Sequence, residues 1–178
     1  AVVSSTTAER RLEYLRGNRA HEQTYNMRAR GSRLGDIVNS DPQYIHHDNF
    51  GYAALSSENG FTDAVGDAYT SYRTSANYQN KTPVVVAGAN DGMFHIFDAA
   101  DDGGDELFAY VPVSIFDQLY KLTKPDYIHQ YYVDGTARLG DAWLGDATGW
   151  RTLAVATTGA GGSGVFALDI TEPELMSA

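Results

Sequence analysis

Two copies of one strand–turn–strand pattern dominate the sequence. Thr82-Pro83-Val84-Val85-Val86-Ala87 runs into a glycine-bearing turn and returns as Met93-Phe94-His95-Ile96-Phe97-Asp98. Thr152-Leu153-Ala154-Val155-Ala156 runs into the glycine-rich stretch 159–164 and returns as Gly164-Val165-Phe166-Ala167-Leu168-Asp169. β-Branched and aromatic runs of this length, separated by Gly and Asn-Asp, read as antiparallel hairpins. A shorter repeat, Arg33-Leu34-Gly35-Asp36 and Arg138-Leu139-Gly140-Asp141, precedes a strand-like stretch each time. Repetition at this scale constrains the fold more than any single motif, because each unit must bury its faces against a neighbour.

In the first hairpin, Asn90-Asp91-Gly92 reads as a tight two-residue turn with positive φ values supplied by Asp-Gly. A second polar turn, Asp101 to Asp105, leads into Leu107-Phe108-Ala109-Tyr110-Val111, making a three-strand meander. Neighbouring residues in these strands are apolar on both sides of the pleat, so both faces of the sheet should be covered. Small two-sided antiparallel sheets repeated along a chain are the mark of a β-propeller. A closed ring needs about four blades of roughly 40 residues each. The 178 residues hold two or three with insertions. The expected fold is therefore mainly β: a partial β-propeller of antiparallel blades, with short helices and long loop insertions. The pattern from Gly88-Ala89-Asn90-Asp91-Gly92 to Phe97-Asp98 is similar to quinoprotein propeller repeats, so the resemblance implies quinoprotein-like blades.

Residues 1–35 read as an N-terminal helix and linker. Thr6 and Glu9 fit a capping box, Leu12 and Leu15 form an apolar stripe, and Gly17 stops the helix. Residues 36–80 read as a first blade part with an insertion, partly helical around 63–78. Residues 81–112 are the clear blade. Residues 113–149 read as a helix and an insertion: the helix runs from Ser114, as N-cap, to Leu122, with Ile115, Phe116, Leu119 and Leu122 inward. A strand is expected over 127–135. Residues 150–178 are the next blade part. The start at Ala1 has neither an initiator Met nor a signal-peptide pattern, so it reads as an internal cut in a longer chain.

The net charge of −10 disfavours nucleic acid and anionic membrane surfaces as partners. The absence of Cys removes disulfides, thiolate nucleophiles and Cys-based zinc sites. Gly159 to Gly164 formally satisfies G-x-G-x-x-G. A strand follows it, however, and not the helix whose amides would hold a pyrophosphate. The acidic cluster Asp98, Asp101, Asp102, Asp105 and Glu106 lacks EF-hand spacing and reads as a solvated, edge-protecting turn. None of the five His residues has helical zinc spacing, and His95 reads as a packed or hydrogen-bonded strand residue. Ser163 lacks a nucleophile elbow, and no carboxylate pair is placed in a cleft. No catalytic, cofactor-binding or metal-binding residue is assigned.

The ordered set of blocks resembles the C-terminal propeller of PilY1/PilC-type pilus tip proteins. The blocks are Ser32 to Ser40, Thr82 to Asp98, Phe108 to Pro112, Tyr131 to Gly135, Trp150 to Leu153 and Gly159 to Thr171. The resemblance implies a type IV pilus biogenesis factor and adhesin of a Gram-negative bacterium, not an enzyme. Such proteins are exported to the outer membrane, cell surface or pilus tip, and support pilus assembly, twitching motility and attachment. Implied partners are pilus subunits or minor pilins and a host-cell surface protein or glycan. Family members carry a calcium loop in a later blade. No such loop occurs in residues 1–178, so calcium is expected of the parent protein and no cofactor of this segment. Recognition is expected from the loops 46–80 and 123–149, with Tyr44, Tyr52, Tyr69, Tyr72 and Tyr78 as candidates and packing against the blades as the alternative for each. The competing reading is a periplasmic quinone-dependent dehydrogenase, in which Trp143 or Trp150 would stack on the cofactor. A purely structural scaffold is the third.

Overall fold

Both repeated patterns form hairpins in the computed structural model, which describes residues 6–55 and 63–176. The first lies in a sheet of order β1 (Gln43–Ile45), β2 (Val84–Gly88), β3 (Phe94–Asp98) and β4 (Glu106–Tyr110), antiparallel throughout. The second lies in an antiparallel sheet of β5 (Arg138–Trp143), β6 (Trp150–Thr157) and β7 (Val165–Asp169). Among the described residues three α-helices accompany them: α1 (Thr7–Leu15), α2 (Asp63–Thr74) and α3 (Ala76–Asn80). The architecture is mainly β, with two unclosed antiparallel sheets, as a partial propeller requires.

The sheets pack through one face each. Val84, Val86, Phe94 and Ile96 of the first share a core with Ala154, Ala156 and Ile170 of the second. Phe94 meets Phe166 edge-on across the interface, with ring centroids 5.5 Å apart. Removing each such large side chain from water contributes roughly 1.5–3 kcal/mol, the main stabilisation of the pair. On the far face of the first sheet Ala87 and His95 are buried, but β4 remains half-exposed. β6 alternates instead, burying Trp150, Thr152, Ala154 and Ala156 and leaving Val155 at the surface.

Several local expectations are corrected. The β2–β3 turn has three residues, since Ala89 N–H still donates to the Met93 carbonyl at 2.9 Å. Only Gly92 takes a positive φ, +93°, the left-handed position that closes a three-residue hairpin. The stretch Val113–Thr123 is a 3₁₀ helix headed by Pro112, with no side-chain cap from Ser114. Ile115 and Leu122 do face inward, while Phe116 is 55% exposed. In α1 the Thr6–Glu9 capping box forms, but Tyr14 is the buried residue and Leu12 points out. The second Arg-Leu-Gly-Asp copy lies inside β5, whereas the first leads to β1 through a loop.

The expected strand over 127–135 is absent. Tyr132, Val133 and Asp134 form an irregular segment buried between the ends of the two hairpins. Its polar groups are met from every side. Tyr132 N–H donates to Asn90 Oδ1 (2.9 Å), and Asp134 N–H donates to the Thr158 carbonyl (3.2 Å). The Asp134 carboxylate accepts from the backbone N–H and side-chain Nδ2 of Asn39 at 3.1 and 2.6 Å. The approach is close enough to demand glycine: a Cβ on Gly161 would sit 2.0 Å from the Tyr132 carbonyl oxygen. The glycine-rich stretch is thus a packing device between blades.

Gly161→Ala should therefore destabilise the protein by about 2–3 kcal/mol through overpacking against backbone. Gly31→Ala, where an added Cβ meets nothing within 4 Å, should stay within ~0.5 kcal/mol of the parent. Thermal melts and protease resistance of the two variants, side by side, check the difference.

Candidate functional site

The five tyrosines singled out above divide sharply by burial. Tyr44 stands on the edge strand β1 opposite Val85 and is 59% exposed. Tyr69 and Tyr78 are fully buried, and Tyr52 and Tyr72 half-buried. Tyr69 and Tyr78 pack against the blade, and neither offers its ring at the surface. Residues 56–62 of the same insertion lie outside the described residues.

The hydroxyls of Tyr69 and Tyr78 meet at a carboxylate from the second Arg-Leu-Gly-Asp copy. Asp141, on β5, accepts from Tyr69 Oη at 2.9 Å and from Thr152 Oγ1 at 2.7 Å, with Tyr78 Oη at 3.4 Å. Thr152 in turn lies 2.8 Å from Tyr72 Oη and 3.3 Å from Lys81 Nζ, and the Lys81 ammonium sits over the Tyr78 ring. Burial, reinforced by the Asp141 charge, pushes the Tyr78 hydroxyl up to about 12. Burial also lowers Lys81 from its ordinary value, against the pull of Asp141. The network joins α2 and α3 to the second sheet, and every one of its side-chain oxygens has a partner, as buried polar groups require.

Trp150 continues this packing. Its ring stacks on Tyr52 at a centroid distance of 5.2 Å, and its Nε1 donates to the Val65 carbonyl at 3.1 Å. Trp143 leans against it at 5.8 Å. Tyr52 thus covers one face of Trp150.

One open cleft adjoins the tyrosine cluster. About 670 Å³ lies between α3 and the β6–β7 side of the second sheet, bordered by Tyr72, Asn77, Arg151, Asp169 and Glu172. Asn77 Nδ2 donates to Glu172 Oε1 at 2.7 Å, and Arg151 pairs with Asp169 at 3.3 Å. An aromatic wall with amide, guanidinium and carboxylate groups suits hydrogen-bonded recognition of a polar ligand. The cleft needed tertiary structure to be seen, because its walls come from residues some 95 positions apart in sequence.

The remaining motifs resolve into structure. In the acidic turn, Asp98 Oδ1 accepts from Ala100 N–H (2.8 Å), and Asp101, Asp102 and Asp105 are exposed. His95 lies between the carboxylates of Asp91 and Glu106, with Nε2 at 3.1 Å from Asp91 Oδ1 and Nδ1 on Glu106. Burial opposes its charge, but the hydrogen bonds that its ring N–H groups donate to both carboxylates outweigh this and raise His95 to about 9. Among the described residues no three His, Asp or Glu side chains gather as metal ligands. Nor is any described helix long and apolar enough to cross a membrane.

A family model described as the PilY1 beta-propeller domain matches residues 34–176. A type IV pilus biogenesis factor PilY1 homolog of Xylella fastidiosa (strain Temecula1) is 42% identical over 173 residues, covering 96% of this chain. The type IV pilus biogenesis factor PilY1 of Pseudomonas aeruginosa (strain PAK) is 40% identical over 176 residues, again covering 96% of this chain. The chain spans only 13% and 14% of the length of these two relatives. Among solved structures, the crystal structure of the Pseudomonas aeruginosa PilY1 C-terminal domain is similar, at 32% identity and a TM-score of 0.45. That match covers 61% of this chain and 20% of the solved one.

Two outcomes follow from the geometry. Asp141→Ala strands the Tyr69 and Thr152 hydroxyls and should cost about 2–4 kcal/mol, read as a lowered melting temperature with loss of near-ultraviolet dichroism from the aromatic cluster. His95, raised above its ordinary 6.5, contributes stability that is fully present below pH 6.5 and lost as pH rises through about 9. With Glu106 half-exposed the effect is roughly 2 kcal/mol. Stability followed from pH 6 to 10 should fall in that window for the parent and stay flat there for His95→Gln.

Proposed function

The chain belongs to the PilY1 β-propeller family, and from that premise we propose that it is a propeller segment of a type IV pilus biogenesis factor that also acts as a pilus-tip adhesin. The observation that carries the reading is the 40% identity to the Pseudomonas aeruginosa factor, sustained over 96% of the chain. Its role is non-enzymatic: it presents a rigid recognition surface that supports pilus assembly, twitching motility and surface attachment. The partners are pilus subunits or minor pilins on one side and a host-cell surface protein or glycan on the other. The location is exported, at the outer membrane, cell surface or pilus tip.

The recognition surface centres on the cleft beside α3, together with the exposed ring of Tyr44. Support comes from chemistry: a half-buried tyrosine wall offers a stacking face, while Asn77, Arg151, Asp169 and Glu172 offer donors and acceptors of fixed spacing. The buried Asp141 network holds this wall in place without contributing to its surface.

Deletion of the gene in its own organism should abolish or reduce surface pili counted by electron microscopy and lower attachment, with complementation restoring both. Normal piliation and attachment would overturn the reading. Within the complemented strain, Asn77→Ala combined with Arg151→Ala should reduce attachment several-fold while leaving pilus number unchanged. Equal attachment by this variant would remove the cleft from the recognition surface.

A further inference from the structure

Two consecutive histidines follow β1, and their rings lie face to face. The His46 and His47 centroids are 3.4 Å apart with planes 30° off parallel, and both residues are half-buried. The loop 46–48 ties β1 to the helices of the insertion. Arg73 Nη2 on α2 donates to the His47 carbonyl at 3.1 Å, and Tyr78 Oη on α3 donates to the Asp48 carbonyl at 2.8 Å. His46 Nε2 lies 3.1 Å from the carbonyl of Lys81, the residue that caps the end of α3. A carbonyl only accepts, so this nitrogen carries the ring proton in the neutral form.

The surroundings favour a neutral pair. Among the described residues, α2 brings Arg73 to the loop, and the end of α3 brings Lys81 and the Tyr78 ring, 6.0 Å from His47. The opposing charges are weaker partners. Asp48 accepts from the His46 backbone N–H at 3.2 Å but is exposed, and Asp141 of β5 is already engaged by Tyr69 and Thr152. His47 Nε2 and Arg73 Nε are buried atoms with no hydrogen-bond partner among the described residues. A His47 imidazolium would therefore present an N–H at Nε2 with nothing to accept it, on a residue whose carbonyl a guanidinium already holds. Burial and the adjacent His47 ring hold His46 below its ordinary 6.5, against the pull of the Lys81 carbonyl and Asp48.

We propose that His46 and His47 form an acid-released latch: neutral and stacked, they hold the 46–48 loop against α2 and α3, and protonation of the pair drives the loop and these helices apart. A group held below its ordinary value stabilises the closed form above pH 6.5, and that contribution is lost as pH falls through its folded value. His95 behaves oppositely: held between Asp91 and Glu106, it stays charged across this range, so the β2–β3 hairpin keeps its stability. Because α3 walls the cleft beside it, opening displaces one side of that cleft. The latch itself does not depend on what the cleft binds.

Hydrogen–deuterium exchange of the full-length protein from about pH 7.5 to 5, corrected for the intrinsic pH dependence of exchange, tests the latch. In peptides covering 63–81, opening should become about tenfold easier per pH unit for each proton taken up. Peptides covering β3 should keep their protection. His46→Gln retains an N–H for the Lys81 carbonyl, and His47→Phe retains a stacked ring. Each should lessen the acid response, and the double variant should abolish it; the single variants carry the test if the double does not fold. Protection of 63–81 that is flat with pH would overturn the proposal. So would an acid response that both single variants keep in full, or one shared equally by β3, which would be global unfolding.

Discussion

The structure depends on one short segment, Tyr132 to Gly135, held between the ends of two hairpins. Backbone from the first hairpin comes so near that a Cβ on Gly88 would lie 2.5 Å from the Val133 carbonyl, and Gly161 approaches Tyr132 more closely still. Such a segment has no ladder of its own. Its buried polar groups must be paired individually, and Asn90, Asn39 and Thr158 do so from three separate parts of the chain. Ser40 adds the reciprocal bond, its hydroxyl accepting from Gly88 N–H at 2.8 Å. The two sheets are in effect joined by a polar keystone inside an apolar core, which gives their packing a single register.

The two Arg-Leu-Gly-Asp copies show how one motif serves different ends. Asp36 is largely exposed and accepts from Asn90 Nδ2 at 3.1 Å and His129 Nε2 at 2.8 Å, anchoring the approach to β1. Asp141 is buried and organises the tyrosines of the α2–α3 insertion. The difference is environmental: a carboxylate at the surface trades water for neighbours at little net gain, whereas one in the interior must be fully paired. The described helices of the insertion, α2 and α3, are consequently part of the blade's core. α3 in turn forms one wall of the cleft beside it.

Much of the local architecture was legible from residue order. Val84 to Gly88 and Phe94 to Asp98 pair as expected, and so do Leu153 to Thr157 and Val165 to Asp169, because β-branched and aromatic runs bounded by glycine leave few alternatives. The strand expected over 127–135 failed for an identifiable reason. Tyr131-Tyr132-Val133 has strand composition, but its neighbours turn their ends toward it, so no edge is available for pairing. For the tyrosines the sequence left surface and packing both open: a hydroxyl that suits a surface suits the interior equally well once a carboxylate such as Asp141 is there to accept its hydrogen bond.

Sequence alone determined the hairpins, the repeat and the family, since these rest on short-range periodicity and on ordered blocks that need no partner to be recognised. Tertiary structure decided which tyrosines are buried and where the cleft beside α3 opens. Those properties arise from residues as far apart as Asn77 and Glu172. Burial and charge pairing are collective: each depends on what the rest of the chain brings alongside, and no window along the sequence contains both halves of the contact.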